Sequence, residues 1–169
     1  MHLLIDGYNL LYVGRSLIQI NAIDLQRERD RLIDKISVYR RQKPCEITVV
    51  FDGWQGGWVT EKREMRKGIE LVFSKRDEKA DEVIKRMAKA KGTGVIVITS
   101  DREIARYAER LAVSVIPSDQ FLDRLEKAAF RPQEGSLHDE EGERGGKKKG
   151  PSRKLSKKER RRRDALKKL

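Results

Sequence analysis

At 169 residues the chain can bury the core of one domain but is short for two. Its single cysteine, Cys45, excludes an intramolecular disulfide and a cysteine-based zinc site, and no apolar run approaches the roughly 18 residues of a membrane span. The first residues lack the pattern of a secretory signal peptide. We therefore expect a cytoplasmic protein, as a monomer or weak oligomer.

The positive charge of the chain is concentrated near its C-terminus. The net charge is +12, and the last 26 residues alone carry 14 Lys and Arg against two acidic residues. Just before them, residues 132–143 hold five acidic residues and no Lys or Arg. A basic block of this kind cannot form a core and attracts polyanions through counterion release. Because its apolar content is low, it favours RNA over a membrane as the partner.

Strand-like and helix-like segments alternate along the first 130 residues. The apolar runs predict strands over residues 3–5, 47–51, 69–73, 95–98 and 113–116. Helical periodicity predicts helices over residues 24–42, 78–91, 102–111 and from about 118 to 129. Since the strands are continuously apolar rather than alternating, the fold class is α/β, with a mostly parallel sheet covered by helices on both faces.

The alternating pattern ends after Phe130. We predict a domain over residues 1–131, an acidic Gly-rich flexible linker over 132–146 and a basic tail over 147–169. The tail is expected to be disordered, or helical only when it binds a partner, with Ser156 as a helix cap.

Three predicted strands are followed by an aspartate: Asp6, Asp52 and Asp101. In open parallel sheets, ligands bind at the carboxyl ends of the strands, where these three carboxylates would meet. Carboxylates placed side by side repel one another unless a cation neutralises them. Oxygen-rich clusters of this kind suit Mg²⁺ or Mn²⁺, so the pattern favours a metal site.

A fourth aspartate, Asp81, lies on the predicted helix 78–91 at the border of its apolar stripe, whereas Glu82 lies on the polar face. Three of these four aspartates also have a ready structural interpretation, whereas Asp6 is harder to explain by a turn. Asp101 precedes a helix and can cap it, Asp52 begins a turn dipeptide, and Asp81 can be a surface charge. The joint occurrence of all four near one rim favours the functional interpretation.

These residues resemble a known family. The chain has the opening signature of the NYN domains, a branch of the PIN-like nucleases, and later segments follow in the expected order. The matching segments are Ile5-Asp6-Gly7-Tyr8-Asn9-Leu10, Val50-Phe51-Asp52-Gly53, Lys79-Ala80-Asp81-Glu82 and Ile98-Thr99-Ser100-Asp101. Over about residues 1–130 the chain resembles the bacterial YacP-like NYN proteins, which include ribosome-associated endoribonucleases.

The resemblance implies a three-layer PIN-like fold and a metal-dependent endoribonuclease that hydrolyses RNA, with mRNA on the ribosome as substrate. It implies that Asp6, Asp81 and Asp101 bind one or two Mg²⁺ or Mn²⁺ ions, that Asn9 orients the site and that Asp52 completes it. Two points stay open. Glu103 is either a further acidic ligand or a helix residue, and Asp52 either touches metal or braces its loop.

Candidate RNA-binding residues lie in three places. A Gly-rich loop with both tryptophans can stack bases, basic residues follow it, and the tail is basic. They are Trp54, Trp58, Lys62, Arg63, Arg66, Lys67, Lys75, Arg76, Lys147, Lys148, Lys149, Arg160, Arg161, Arg162 and Arg163. Alternatively, one tryptophan packs on the core and the cations form a solvated surface.

Other chemistries fit the sequence less well. His2 and His138 are not placed for a paired-imidazole mechanism, and the phosphate-binding loop of NTPases is absent. The main alternative is a non-catalytic RNA- or ribosome-binding module with a PIN-like fold. The residues themselves do not discriminate RNA from DNA.

Overall fold

The computed structural model describes residues 1–13, 22–53, 59–130 and 156–169, which form six strands and six α-helices. The strands are β1 (His2–Asp6), β2 (Glu46–Phe51), β3 (Lys62–Arg66), β4 (Ile69–Phe73), β5 (Val95–Ile98) and β6 (Ser114–Ile116). The helices are α1 (Gly7–Leu11), α2 (Ala22–Gln42), α3 (Ala80–Lys91), α4 (Arg102–Arg110), α5 (Ser118–Phe130) and α6 (Lys157–Lys168). A 3₁₀ turn, Gly92–Gly94, joins α3 to β5.

The sheet has the strand order β3-β4-β2-β1-β5-β6, and every neighbouring pair is parallel except β3 with β4. The registers align the carboxyl ends of the central strands, with Asp6 opposite Val50 and Ile5 opposite Ile98. The predicted mostly parallel sheet is therefore confirmed, and the loops after β1, β2 and β5 open at one edge.

Apolar side chains alternate between the two faces of the sheet and build two cores. Leu3, Ile5 and Phe51 pack with α1, α2 and α5 on one face. Leu4 and Val50 pack with α3 and α4 on the other face. Since both faces are covered, the strands are continuously apolar, and the predicted three-layer arrangement is confirmed.

Strand β3 was not predicted, because its sequence is almost entirely charged. It is an antiparallel edge strand that pairs with β4 through a two-residue turn, Lys67-Gly68. Both turn residues have positive φ, 50° and 75°, as hairpin turns of type I′ require. Charged residues on an edge strand also discourage edge-to-edge association. The strand could not be predicted from apolar residues, because none of its residues is buried.

Helix α6 differs from the prediction of a disordered or conditionally helical tail. Ser156 and Glu159 form a reciprocal capping box at its start, and Ala165 and Leu169 are buried in the α2/α5 core. The helix packs beside β6, the other edge of the sheet. This docking was not predicted from the sequence because the helix is highly charged, although Ala165, Leu166 and Leu169 form an apolar face that packs on the domain.

The contacts of α6 lie towards the end of the sheet opposite to the loops after β1, β2 and β5. Lys158 pairs with Glu109 in the last turn of α4, and Tyr39 in the last turn of α2 donates to the Leu169 carbonyl at 3.0 Å. The predicted linker, 132–146, lies outside the described residues. Within the described ranges, no helix is long and apolar enough to cross a bilayer.

Candidate active site

An open cleft of about 540 Å³ lies at the carboxyl ends of β1, β2 and β5. Its lining includes all five residues that the sequence predicted as catalytic: Asp6, Asn9, Asp52, Asp81 and Asp101. The parallel registers explain this, because each central strand ends at the same edge and delivers its next polar residue there. The predicted convergence of the strand-end acids is confirmed.

Asp6 is the innermost acid of the cleft and is only 7% exposed. One carboxylate oxygen accepts from the Asn9 backbone N–H at 3.1 Å, which caps α1. The other accepts from the Thr99 hydroxyl at 3.0 Å, and the Thr99 oxygen accepts from the Asp101 N–H, also at 3.0 Å. Thr99 therefore links Asp6 to the loop that carries Asp101.

Asp101 and Asp52 each hold the start of a helix. Asp101 caps α4 by accepting, through one oxygen, from the N–H groups of Glu103 at 2.7 Å and Ile104 at 3.0 Å. Asp52 accepts from the Ala80 N–H at 2.6 Å. Since Lys79 offers α3 no side-chain cap, Asp52 serves that role from the loop after β2. Asp52 thus braces α3 and, through it, the position of Asp81.

Asp81 lies in the first turn of α3 and lines the cleft, whereas Glu82 is exposed outside it. This confirms the predicted orientation of the helix. Burial, followed by the nearby charge of Asp101, raises the pKa of Asp81. Glu103, left open by the sequence, forms an ion pair with Lys85 and is 74% exposed, so it belongs to the rim and not to the acidic centre.

Asn9 connects three segments around the cleft. Its side-chain oxygen accepts from the Ser100 N–H at 2.8 Å and from the Ser118 hydroxyl at 2.7 Å. Ser118 in turn donates its N–H to the Ser100 hydroxyl at 3.0 Å. Asn9 therefore fixes the loop before Asp101 and the start of α5, and its predicted role in orienting the site stays a prediction.

The electrostatics of the cleft are those of crowded carboxylates. Burial is the largest cause of the raised pKa of Asp6, which reaches about 6, and the charges of Asp81 and Asp101 raise it further. The hydrogen bonds from Asn9 and Thr99 oppose this shift. Near neutral pH the ionised carboxylate of Asp6 consequently destabilises the folded state, unless a cation neutralises its charge.

This shift leads to a testable prediction for Asp6→Asn in EDTA. A pKa raised by folding means that Asp6 contributes stability below its unfolded pKa and loses it as the pH rises through about 6. The uncharged variant should therefore gain about 2–3 kcal/mol in free energy of unfolding at pH 8. The gain should vanish near pH 4.

Urea unfolding at pH 4, 6 and 8 measures this effect, with Asp77→Asn as the control at an exposed position. A gain that is the same at all three pH values would contradict the electrostatic origin. It would instead indicate better packing or hydrogen bonding of the amide.

The predicted RNA-binding cations of β3 and its turn are paired with carboxylates. Arg63 contacts Glu61 and Glu70, Arg66 contacts Asp30, and Lys67 contacts Asp34. The register also places Arg66 and Lys67 at the end of the sheet opposite to the cleft, while Lys62 is at the cleft end. These contacts weaken the interpretation of Arg63, Arg66 and Lys67 as an RNA surface.

The other predicted RNA-binding residues are distributed differently. Lys75 and Arg76 are exposed on the loop from β4 to α3, which reaches the cleft edge. On α6, Arg160, Arg161 and Arg163 are exposed and Arg162 is half-buried. The remaining candidates lie outside the described residues: Trp54, Trp58, Lys147, Lys148 and Lys149.

Several residues that line the cleft, or support the residues that line it, were not predicted from the sequence. Thr99 and Ser118 are buried hydrogen-bonding partners of the predicted residues, and Tyr8 and Tyr12 line the cleft as a stacked pair. Thr99 and Tyr8 lie within the segments that match the family, so their location in the sequence could have identified them. Tyr12 offered none, because the short helix α1 that aligns it with Tyr8 was not predicted.

The side chains of the cleft determine whether it can bind a divalent cation. Within the described ranges, no group of three or more His, Cys, Asp or Glu side chains is placed to hold an ion directly. Mg²⁺ is usually bound by one or two carboxylates and several waters, a set that the cleft can offer. The crowding that raises the pKa of Asp6 is also relieved by a cation. The cleft therefore suits a cation that is bound directly by fewer than three side chains and otherwise by water.

Comparisons with known proteins agree with this fold. The chain is 33% identical to the uncharacterized protein YacP of Bacillus subtilis over 114 residues, 66% of this chain and 64% of YacP. It is similar to two crystal structures of Rae1 (YacP) from that organism, both at 27% identity over 76% of this chain. The structure of a mutant Rae1 gives a TM-score of 0.62 over 76% of its chain, and the other structure gives 0.59 over 75%.

The match to curated YacP thus covers slightly less than two thirds of that protein. The sequence profile of the YacP-like NYN domain matches residues 3–168, which include α6. NYN domains are PIN-like, and the α/β sheet with helices on both faces is that fold. The chain belongs to the YacP-like NYN domain family and has a PIN-like nuclease-type domain.

Proposed function

We propose that this protein is a divalent-metal-dependent endoribonuclease that hydrolyses phosphodiester bonds in RNA. The observation that carries the proposal is the meeting of Asp6, Asp81 and Asp101 in one open cleft, where burial and mutual repulsion raise the pKa of Asp6 to about 6. A site that only bound RNA would be expected to offer cations at this position, because the phosphates are negatively charged.

In this proposal Asp6, Asp81 and Asp101 hold one or two Mg²⁺ or Mn²⁺ ions, directly or through water. When bound, such ions supply a water of lowered pKa and neutralise charge on the phosphate. The chain itself positions the carboxylates: Thr99 holds Asp6, Asp52 holds the start of α3, and Asn9 holds the loop before Asp101. Each of these contacts fixes a carboxylate before the substrate arrives.

The proposed substrate is mRNA, engaged with the ribosome in the cytoplasm. Helix α6 supports a large polyanionic partner, because three of its four arginines are exposed and the contacts of the helix lie away from the cleft. Within the described residues, Arg160, Arg161 and Arg163 have no ion pair with a carboxylate, unlike the cations of β3. A partner that contacts both α6 and the cleft must be long enough to reach from one end of the strands to the other.

The test compares single-stranded RNA, DNA of the same sequence, and mRNA under translation, each with Mn²⁺, Mg²⁺ or EDTA. We expect RNA to be cut with Mn²⁺ or Mg²⁺, EDTA to stop the reaction, and DNA to remain intact. Cutting only under translation would make the ribosome part of the substrate. No cutting of either RNA would overturn the proposal in favour of a non-catalytic binding module, and equal cutting of DNA would contradict the choice of RNA.

A further inference from the structure

The proposed chemistry leaves the two aromatic side chains of the cleft without a role. Tyr8 and Tyr12 line it together with the acidic residues, and their rings are stacked, with centroids 5.9 Å apart and planes within 16°. Both side chains are half-buried. The aromatic pair therefore packs against the core on one side and lines the aqueous cleft that contains Asp6 on the other.

Tyr8 is held in position by contacts with Phe51 and Arg29. The Phe51 ring meets it edge-on at 5.2 Å and 69°, and Arg29 donates to its hydroxyl at 3.4 Å. The guanidinium of Arg29 also lies about 6.0 Å from the centroid of the Phe51 ring. Among the described residues, only Tyr8 makes a ring contact with Tyr12, which also packs against the core built by α1, α2 and α5. The stack is thus anchored at one side.

The charge of the cleft makes an aromatic contact useful. Four carboxylates line the site, so the phosphates of RNA are not attracted to it by local charge. A nucleobase is uncharged, and its affinity for an aromatic ring does not depend on neutralising those carboxylates. Bases that are not paired stack on aromatic side chains, whereas bases inside a duplex are already stacked on their neighbours.

We propose that the Tyr8–Tyr12 stack is a subsite for an unpaired nucleobase, next to the phosphodiester bond that lies in the acidic cleft. The base extends the stack on Tyr12, and Tyr8 keeps Tyr12 in a fixed plane. The subsite makes unpaired RNA the substrate class, because a paired base cannot reach it without leaving its helix. This inference rests on the proposed function for the identity of the polymer, but the stacking can be measured separately.

The experiment uses RNA that carries 2-aminopurine at successive positions, bound to the 169-residue chain in the Asp81→Asn background with Mn²⁺ so that the RNA is not cut. We expect quenching of 2-aminopurine at one position. Tyr12→Ala should abolish this quenching and weaken binding by roughly five- to one-hundred-fold. Tyr12→Trp, which keeps an aromatic ring, should restore both. Tyr107→Ala removes a half-buried tyrosine of α4 outside the cleft and should change neither.

Two results would overturn the subsite. One is quenching and affinity that persist in Tyr12→Ala, and the other is equal affinity for RNA with a single abasic residue at the quenched position. Neither result bears on the nuclease itself, which is judged by metal-dependent cutting with the unsubstituted protein. Conversely, quenching that depends on Tyr12 in a protein that never cuts RNA would retain the base subsite and remove the proposed chemistry.

Discussion

Asp81→Asn should slow RNA cleavage by more than about a hundredfold at saturating RNA. The substitution removes a charged ligand from the cleft without changing the size of the side chain. Asp81 is only half-buried, and the hydrogen bond that fixes the start of α3 runs from Ala80 to Asp52. The variant should therefore fold normally, and the loss should come from weaker binding and orientation of the cation.

The adjacent residue provides the matched control. Glu82 is on the same turn of α3, carries the same charge and is exposed, with a contact to Lys85 at 3.2 Å. Glu82→Gln should retain nearly full activity, because its carboxylate does not line the cleft. If both variants lost activity equally, the net charge of this helix turn would be the cause, and not a ligand at position 81.

A second measurement separates cation binding from turnover. Ions that bind the folded state raise its melting temperature with concentration, and Asp81→Asn should require more Mn²⁺ for the same increase than the unsubstituted protein. Full cleavage by Asp81→Asn would remove Asp81 from the site. A normal Mn²⁺ response with no cleavage would instead assign Asp81 a role in handling the substrate rather than the metal.

The sequence predicted those features that depend on local patterns. Continuous apolar runs located the parallel strands, and the stripe on α3 distinguished Asp81 from Glu82. One structural interpretation of the aspartates was also correct, because Asp101 caps α4. Asp6 caps α1 and Asp52 caps α3, and neither of these caps was predicted from the sequence. The two interpretations are compatible, because one carboxylate can fix its own loop and still face the cleft.

Features that depend on contacts between distant segments were not predictable. The ion pairs of Arg66 and Lys67 join β3 to α2, some 33 to 36 residues away in sequence, so their pairing is invisible to a count of charges. The stacking of Tyr8 on Tyr12 required a five-residue helix. The docking of α6 depended on Ala165 and Leu169 meeting a core built mainly by α2 and α5.

Helix α6 supplies the second large effect. Substituting Arg160, Arg161 and Arg163 by glutamine should weaken binding of long RNA roughly tenfold or more near physiological salt and reduce the salt slope by about 2. The substitutions keep the capping box and the buried residues Ala165 and Leu169. Deleting the helix would be a poorer test, since it would also expose the α2/α5 core.

The matched control removes the same charge from β3 and its turn. Arg63, Arg66 and Lys67 are paired with carboxylates, so their replacement by glutamine should change RNA affinity and its salt dependence little. Because α6 lies away from the cleft, its triple variant should keep the cleavage rate at saturating RNA. Equal losses in both triple variants would mean that net charge alone attracts RNA, and that α6 is not a distinct binding surface.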